Sequence, residues 1–192
     1  PRIMGVLNIA PDSFSDGGEL FVNGAPDLDA IETRAADMIA QGADLLDIGG
    51  ESTRPGAWEL SLQEEIDRVV PAITALGSLD TILSIDTRHA AVARAAVEAG
   101  AHLINDISAG TDPAMLALVG ECNVGFALMH MQGTPQTMQQ APVYYDVVDE
   151  VRGFLEQRFE ACVARGISPD RLMTDPGIGF GKTVQHNLKL LQ

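Results

Sequence analysis

Only two cysteines, Cys122 and Cys162, occur in 192 residues. Both fall in stretches of helical spacing, with no framework or metal-ligand pattern around them. The expectation is a pair of reduced, partly buried thiols, not a disulfide scaffold. Basic residues are scarce too: 12 Lys and Arg against 27 Asp and Glu, a net charge of −15. Such a surface disfavours nucleic acid and anionic membranes, and an anionic substrate would need a local cation or a metal. No run of about 18 apolar residues appears, so no membrane-spanning helix is expected. No signal peptide is visible. The chain opens with Pro1 inside an apolar run, so further residues are expected before it. What is present, 46% hydrophobic and 20% charged residues, is the composition of a globular domain with a sizeable core.

Short apolar stretches alternate with helical ones. Strands are expected over 2–9, 43–49, 81–85, 102–104, 124–129 and 172–174. Helices are expected over 27–41, 62–76, 89–99, 113–121, 143–165 and from 183 onward. Ser61 with Glu64 three residues on forms a capping box, and Pro71 inside that helix should kink it. Gly42 and Gly100 supply helix stops.

The strands are apolar on both faces and separated by helices, the pattern of a parallel sheet covered by helices. Nearly every strand ends in polar residues. That favours an α/β fold of the (β/α)8 TIM-barrel type, with its site at the C-terminal ends of the strands. An open doubly wound sheet, whose polar loops gather at one switch point, is the alternative. A barrel of this type takes about 250 residues. Residues 1–192 are therefore expected to be a single barrel domain, incomplete at both ends and holding about the first six βα units. Its first and sixth strands would carry unpaired edges.

The strand ends offer Asn8, Asp86, Asn105, Asp106 and Asp175, with Arg54 and Lys182 on loops. A carboxylate accepts two parallel hydrogen bonds from an amidine-like edge, and an amide both donates and accepts. Such a set suits a flat heterocycle with N–H donors. Asn8 beside an acidic loop suits a hard cation such as Mg²⁺, and Arg54 suits a phosphate or carboxylate. Each has a plainer reading. Asp47 and Asp106 could cap loops or bond backbone amides, and Asp12 and Asp16 could be turn residues. His130 reads better as a hydrogen-bonded structural histidine than as a base. Lys182 reads equally as a phosphate ligand and as a surface lysine. Phe14 and Trp58, on polar loops, suggest stacking or gating. The stretch Asp175-Pro176-Gly177-Ile178-Gly179-Phe180-Gly181-Lys182 has the build of a strand, a ligand loop and a helix.

Longer motifs carry a resemblance. Residues 5–18 (GVLNIAPDSFSDGG) and 47–56 (DIGGESTRPG) resemble those of dihydropteroate synthases, pterin-binding enzymes of folate synthesis. So do Ser84-Ile85-Asp86-Thr87, Ile104-Asn105-Asp106, residues 129–135 and residues 175–183. Ala10 departs from the family's usual Thr, and the family's strand-seven Ser-Arg-Lys and strand-eight Arg-x-His segments have no counterpart within the 192 residues.

The resemblance implies a cytoplasmic transferase. It would condense 6-hydroxymethyl-7,8-dihydropterin pyrophosphate with p-aminobenzoate, giving 7,8-dihydropteroate and pyrophosphate, with Mg²⁺ as cofactor. It implies Asp86, Asn105 and Asp175 on the pterin edge, Met129 lining its pocket, and Asn8 on the metal and pyrophosphate. It further implies Phe14, Asp16, Thr53, Arg54 and Pro55 in closing loops, with Asp16, Arg54 and Asn8 as the catalytic set. Phe180 would line the p-aminobenzoate site, where sulfonamides compete, and a homodimer is implied for the whole protein. A pterin-binding methyltransferase and a non-catalytic pterin-binding module remain as alternatives.

Overall fold

The computed structural model describes residues 1–10, 20–22, 24–51 and 60–192. They fall into two compact units, one reaching Asn105 and the other spanning Asp106–Gln192.

The first unit holds β1 (Met4–Asn8), β2 (Phe21–Val22), β3 (Ala25–Pro26), α1 (Leu28–Ala40), β4 (Leu45–Gly49), α2 (Leu62–Leu76), β5 (Ile82–Asp86) and α3 (Ala90–Glu98), and is closed by β6 (Leu103–Asp106). Strands β1, β4, β5 and β6 are parallel neighbours in chain order. There is no reversal of order, as a doubly wound sheet would require at its switch point. This matches the expected barrel-type winding.

Register sorts the strand residues onto two faces, because successive side chains alternate. Leu7, Ile48, Ile85 and Ile104 share one level and one face, and all are buried. Asn8, Gly49, Asp86 and Asn105 form the next level on the opposite face. Asp47 and Ser84 lie on that second face, two residues below. The helices supply the apolar cover through Ile31, Val69, Ile73, Leu76, Val92 and Ala96, all fully buried. Helix α2 starts as its sequence dictates. Ser61 N–H donates to Glu64 Oε2 at 2.9 Å, while the Glu64 N–H donates to Ser61 Oγ at 3.3 Å. The helix runs through Pro71.

The second unit holds α4 (Pro113–Glu121), β7 (Gly125–Met129), α5 (Val147–Val163), a 3₁₀ turn at Pro169–Arg171, β8 (Leu172–Asp175) and α6 (Val184–Leu190). β7 and β8 are parallel, and Met129 lies level with Asp175. Two arginines tie the loops. Arg158 Nε donates to the Ala109 carbonyl at 2.8 Å, and Arg171 Nε to the Val124 carbonyl at 2.8 Å. Both cysteines are free thiols, Cys162 fully buried.

Two expectations need correction, and one element was not expected. β1 is buried on one face only: Leu7 is fully buried, whereas Met4 is 37% and Val6 43% exposed, because β1 lies at the end of its strand order. Helix α5 starts four residues later than its apolar pattern suggests. Asp146 Oδ1 accepts from the N–H groups of Val148 and Asp149, and Glu150 Oε1 reaches back to the Tyr145 N–H at 2.7 Å. That cap turns the chain and leaves Val143 and Tyr145 outside the helix, exposed. The β2–β3 hairpin went unforeseen because each strand has only two residues, too short for an alternating pattern to register.

Candidate functional site

In the first unit, the polar level at the strand ends gathers three of the expected residues. A side chain at Gly49 would meet Asn8 Oδ1 at 3.5 Å and Asp86 Oδ2 at 3.6 Å. The two oxygens thus flank Gly49 on β4 from either side, at ordinary contact distance from where a Cβ would lie. Asn105 continues the row beside Asp86. Its Nδ2 donates to Asp47 Oδ2 at 3.0 Å.

Asp47 is therefore not the loop cap or backbone ligand considered above. It is 4% exposed and holds the Asn105 amide from below. Burial pushes its carboxyl above the usual range, tempered by Ser84 and Asn105. Asp47 Oδ1 and Ser84 Oγ are both buried without a hydrogen-bond partner. Ser84 lies near enough to act on the carboxylate yet outside hydrogen-bonding geometry.

Behind Asp86 lies a network that sequence reading missed. Thr87 Oγ1 donates to Glu65 Oε1 at 2.7 Å, and His89 Nδ1 meets Glu65 Oε2 at 2.7 Å. The His89 N–H donates to Thr87 Oγ1 at 3.1 Å. The hydrogen bond to Glu65 raises the His89 pKa. Glu51, Glu65 and His89 are the one metal-compatible cluster of His, Cys, Asp and Glu among the described residues. Glu65 is spent on Thr87 and His89, and Glu51 already pairs with Arg88 at 3.5 Å. The network anchors the turn after Asp86. No local signal could have revealed it, since Glu65 stands 22 residues before Thr87.

The second unit gathers Met129, Asp175, Phe180 and Lys182. Asp175 Oδ1 accepts from the Gly177 N–H at 2.7 Å, and its carbonyl accepts from the His130 N–H at 2.9 Å. The loop after it lies backbone against backbone on residues 130–132. A Cβ on Gly177 would sit 2.0 Å from the His130 carbonyl oxygen, and one on Gly181 2.8 Å from that of Gln132.

Lys182 is not a surface lysine. It is 3% exposed. Its Nζ reaches the carbonyls of His130, Gly177 and Phe180 at 3.2, 2.9 and 2.9 Å, and His130 Nδ1 at 3.0 Å. Burial lowers its pKa to about 8, although Asp175 opposes the shift. Burial and the Lys182 charge together lower His130 to about 4. A neutral His130 accepting at Nδ1 carries its hydrogen on Nε2. His130 is thus the structural histidine expected, with Lys182 as its partner. Its ring stands edge-on to Phe154 at 5.1 Å. Tyr144, also unforeseen, donates its hydroxyl to the Gly181 carbonyl at 2.8 Å.

Asp106 does cap a loop: Oδ1 accepts from the Ser108 N–H and hydroxyl, and Oδ2 from the Gly110 N–H, each at 2.7 Å. An apolar groove of about 500 Å³ along α5 is lined by Leu155, Phe159, Pro176 and Leu190 among others. Neither the strand-end residues Met129 and Asp175 nor the loop residue Lys182 lines it, which sets it apart from the candidate site. Phe14, Asp16, Thr53, Arg54 and Pro55, with Asp12 and Trp58, lie outside the described residues. No helix among the described residues is long and apolar enough to cross a membrane.

Comparison with known proteins places these residues in context. The family model described as "Pterin binding enzyme" matches residues 4–192. The chain is 45% identical over 192 residues to the dihydropteroate synthase of Escherichia coli K12, covering 100% of this chain and 66% of that protein. It is 46% identical over 193 residues to that of Haemophilus influenzae, covering 100% and 68%. It thus spans about two thirds of the length of these curated relatives. Among solved structures, the Yersinia pestis dihydropteroate synthase in a sulfonamide drug complex aligns with a TM-score of 0.92 at 48% identity, over 100% of this chain and 68% of that one. The Burkholderia cenocepacia enzyme, complexed with 7,8-dihydropteroate, aligns at 0.86 and 48% identity, over 100% and 64%. The chain belongs to the pterin binding enzyme family, among the dihydropteroate synthases.

Proposed function

We propose that this chain carries the chemistry of a dihydropteroate synthase. It would join 6-hydroxymethyl-7,8-dihydropterin pyrophosphate to p-aminobenzoate and release pyrophosphate. The observation that carries this reading is the identity of 45% with a dihydropteroate synthase across all 192 residues. The strand-end chemistry supports it. In the first unit, Asp86 and Asn105 stand level on adjacent strands and offer acceptors to the N–H groups of an aminopyrimidinone edge. In the second, Asp175 offers a carboxylate at the strand end, Met129 stands level with it, and Lys182 fixes the loop that carries Phe180.

In the reaction, the bond from the pterin methylene to the pyrophosphate oxygen breaks with its electron pair on oxygen. The arylamine nitrogen supplies the pair for the new C–N bond and then loses a proton. An arylamine is a weak nucleophile, so departure of pyrophosphate sets the barrier, and charge building on that group is what must be stabilised. Asn8 Oδ1 and Asp86 Oδ2, flanking Gly49, are oxygen donors of the kind Mg²⁺ takes. Asn8 is the proposed metal ligand. When bound, Mg²⁺ would neutralise charge on the leaving group. Arg54, Asp16 and the loop residues Phe14, Thr53 and Pro55 are assigned by resemblance alone: Arg54 to pyrophosphate, the others to closing over the reacting carbon. Phe180 is assigned to the p-aminobenzoate site, the site at which a sulfonamide would compete.

The test is pyrophosphate release from the pterin pyrophosphate with Mg²⁺, with and without p-aminobenzoate, on mass-verified protein. Release that depends on p-aminobenzoate is the expected result. Release indifferent to p-aminobenzoate would mean hydrolysis of the pterin pyrophosphate and contradict the reading, and pterin binding without release would favour a binding module.

A further inference from the structure

We infer that Asp47 is a positioning residue that sets which end of the Asn105 amide is offered to a ligand, and so sets the donor–acceptor pattern the site selects. The inference rests on the pterin-binding reading of Asp86 and Asn105 and deepens it.

An Asn side chain has one donor end and one acceptor end on a nearly symmetric frame, and only its partners decide which faces where. Here the decision is made from beneath. Asp47 sits on β4, one layer below the polar row, and Asp47 Oδ2 lies 3.0 Å from Asn105 Nδ2. A carboxylate is acceptor-only, so it holds the NH₂ end down and leaves Oδ1 as the outward end. Among the described residues no donor reaches that oxygen. Asp86, level with Asn105 on the neighbouring strand, adds a second acceptor. Two adjacent acceptors select a ring edge bearing two donors, such as the amino group and ring N–H of a 2-amino-4-oxopteridine, over an edge bearing a carbonyl in place of the amino group.

The second observation is the cost of this arrangement. Asp47 Oδ1 and Ser84 Oγ are buried without hydrogen-bond partners. An unsatisfied buried polar atom is destabilising, and an apolar pair of the same shape would fit the site at least as well. A carboxylate kept at this depth is explained by what it does to Asn105.

The test compares wild type with Asp47→Leu, which removes the acceptor and fills the space. Pterin and lumazine, in which a carbonyl replaces the 2-amino group, are titrated separately by calorimetry. Wild type should prefer pterin. In the variant the preference should shrink by about tenfold while the melting temperature holds or rises, because the freed amide can turn its donor end outward. An unchanged pterin-to-lumazine ratio overturns the proposal. Hydrogen exchange of the Asn105 side-chain amide, read by ¹⁵N NMR, decides without any ligand. Exchange should be faster in the variant, and equal exchange overturns the proposal. Should neither protein bind pterin, the functional reading fails and the exchange comparison alone decides the role of Asp47. If Asp47→Leu does not fold, Asp47→Val, smaller but equally without an acceptor for the Asn105 amide, carries the same comparisons.

Discussion

Lys182 Nζ lies 3.0 Å from His130 Nδ1, and the lysine is the donor, because an ammonium has only hydrogens to offer; its three are shared between this ring nitrogen and three backbone carbonyls. The pair works only with His130 neutral. Its pKa is held near 4 by burial and by the adjacent lysine charge, against an ordinary 6.5. Above about 6.5 the folded and unfolded chains are alike at this group. Between about 6.5 and about 4 the unfolded chain takes up a proton that the folded one refuses. Stability should therefore fall as pH falls through that window. Urea unfolding at a series of pH values should show the decline, and His130→Asn, which keeps an acceptor but does not titrate, should flatten part of it. Identical pH profiles for the two proteins would remove His130 as the cause.

Lys182→Met should destabilise the protein by about 2–3 kcal/mol, since the carbonyls of His130, Gly177 and Phe180 lose their shared donor in a buried place. A lysine serving chiefly as a phosphate ligand would behave differently. Its loss would weaken binding of the pterin pyrophosphate and leave unfolding unchanged. Measuring denaturant midpoint and substrate affinity on the same preparation separates the two.

Gly177 and Gly179 both have positive φ, +66° and +88°, but only Gly177 has a backbone oxygen 2.0 Å from where a Cβ would lie. Gly179→Ala should cost about 1 kcal/mol, the backbone preference alone. Gly177→Ala should cost more than twice that and disturb the packing of Asp175 against His130. Thermal melts of the two variants test the ranking, and equal losses would mean the loop has slack that its close packing does not suggest.

Removing Mg²⁺ with a chelator should abolish pyrophosphate release while leaving the melting temperature nearly unchanged, because Asn8 stands at the end of β1, where strand pairing to β4 holds it in register. Asn8→Ala should raise the Mg²⁺ concentration needed for half-maximal release. If the Mg²⁺ requirement is the same in that variant, Asn8 is not the ligand.

Elements written by local chemistry were legible in the sequence. The capping box of Ser61 and Glu64, the helix beginning at Pro113 and the polar strand ends all form where residue order predicts. What stayed hidden is what depends on distant partners. Lys182 could be read as a surface lysine because its nearest side-chain partner, His130, stands 52 residues away. The bond from Asn105 to Asp47 spans 58 residues, and neither end shows a sequence feature that announces the other. The start of α5 was misread because an apolar stretch, Val143–Tyr145, looked helical while Asp146 and Glu150 had already fixed the cap. The motifs carry the chemistry of the strand ends, whereas the placement of Asp47 under Asn105 and of Glu65 against Thr87 arises only in the folded chain.

The most direct measurement is calorimetric titration of pterin into the chain as wild type, Asp86→Ala and Asp175→Ala, with melts as controls for folding. Asp86 belongs to the first unit's polar row and Asp175 to the second unit's loop, so the two variants probe the two sets independently. Saturable binding to wild type, abolished by Asp175→Ala and strongly weakened by Asp86→Ala in folded proteins, is the predicted result. Binding of equal affinity in all three would contradict it, and the strand ends would then not be the pterin site.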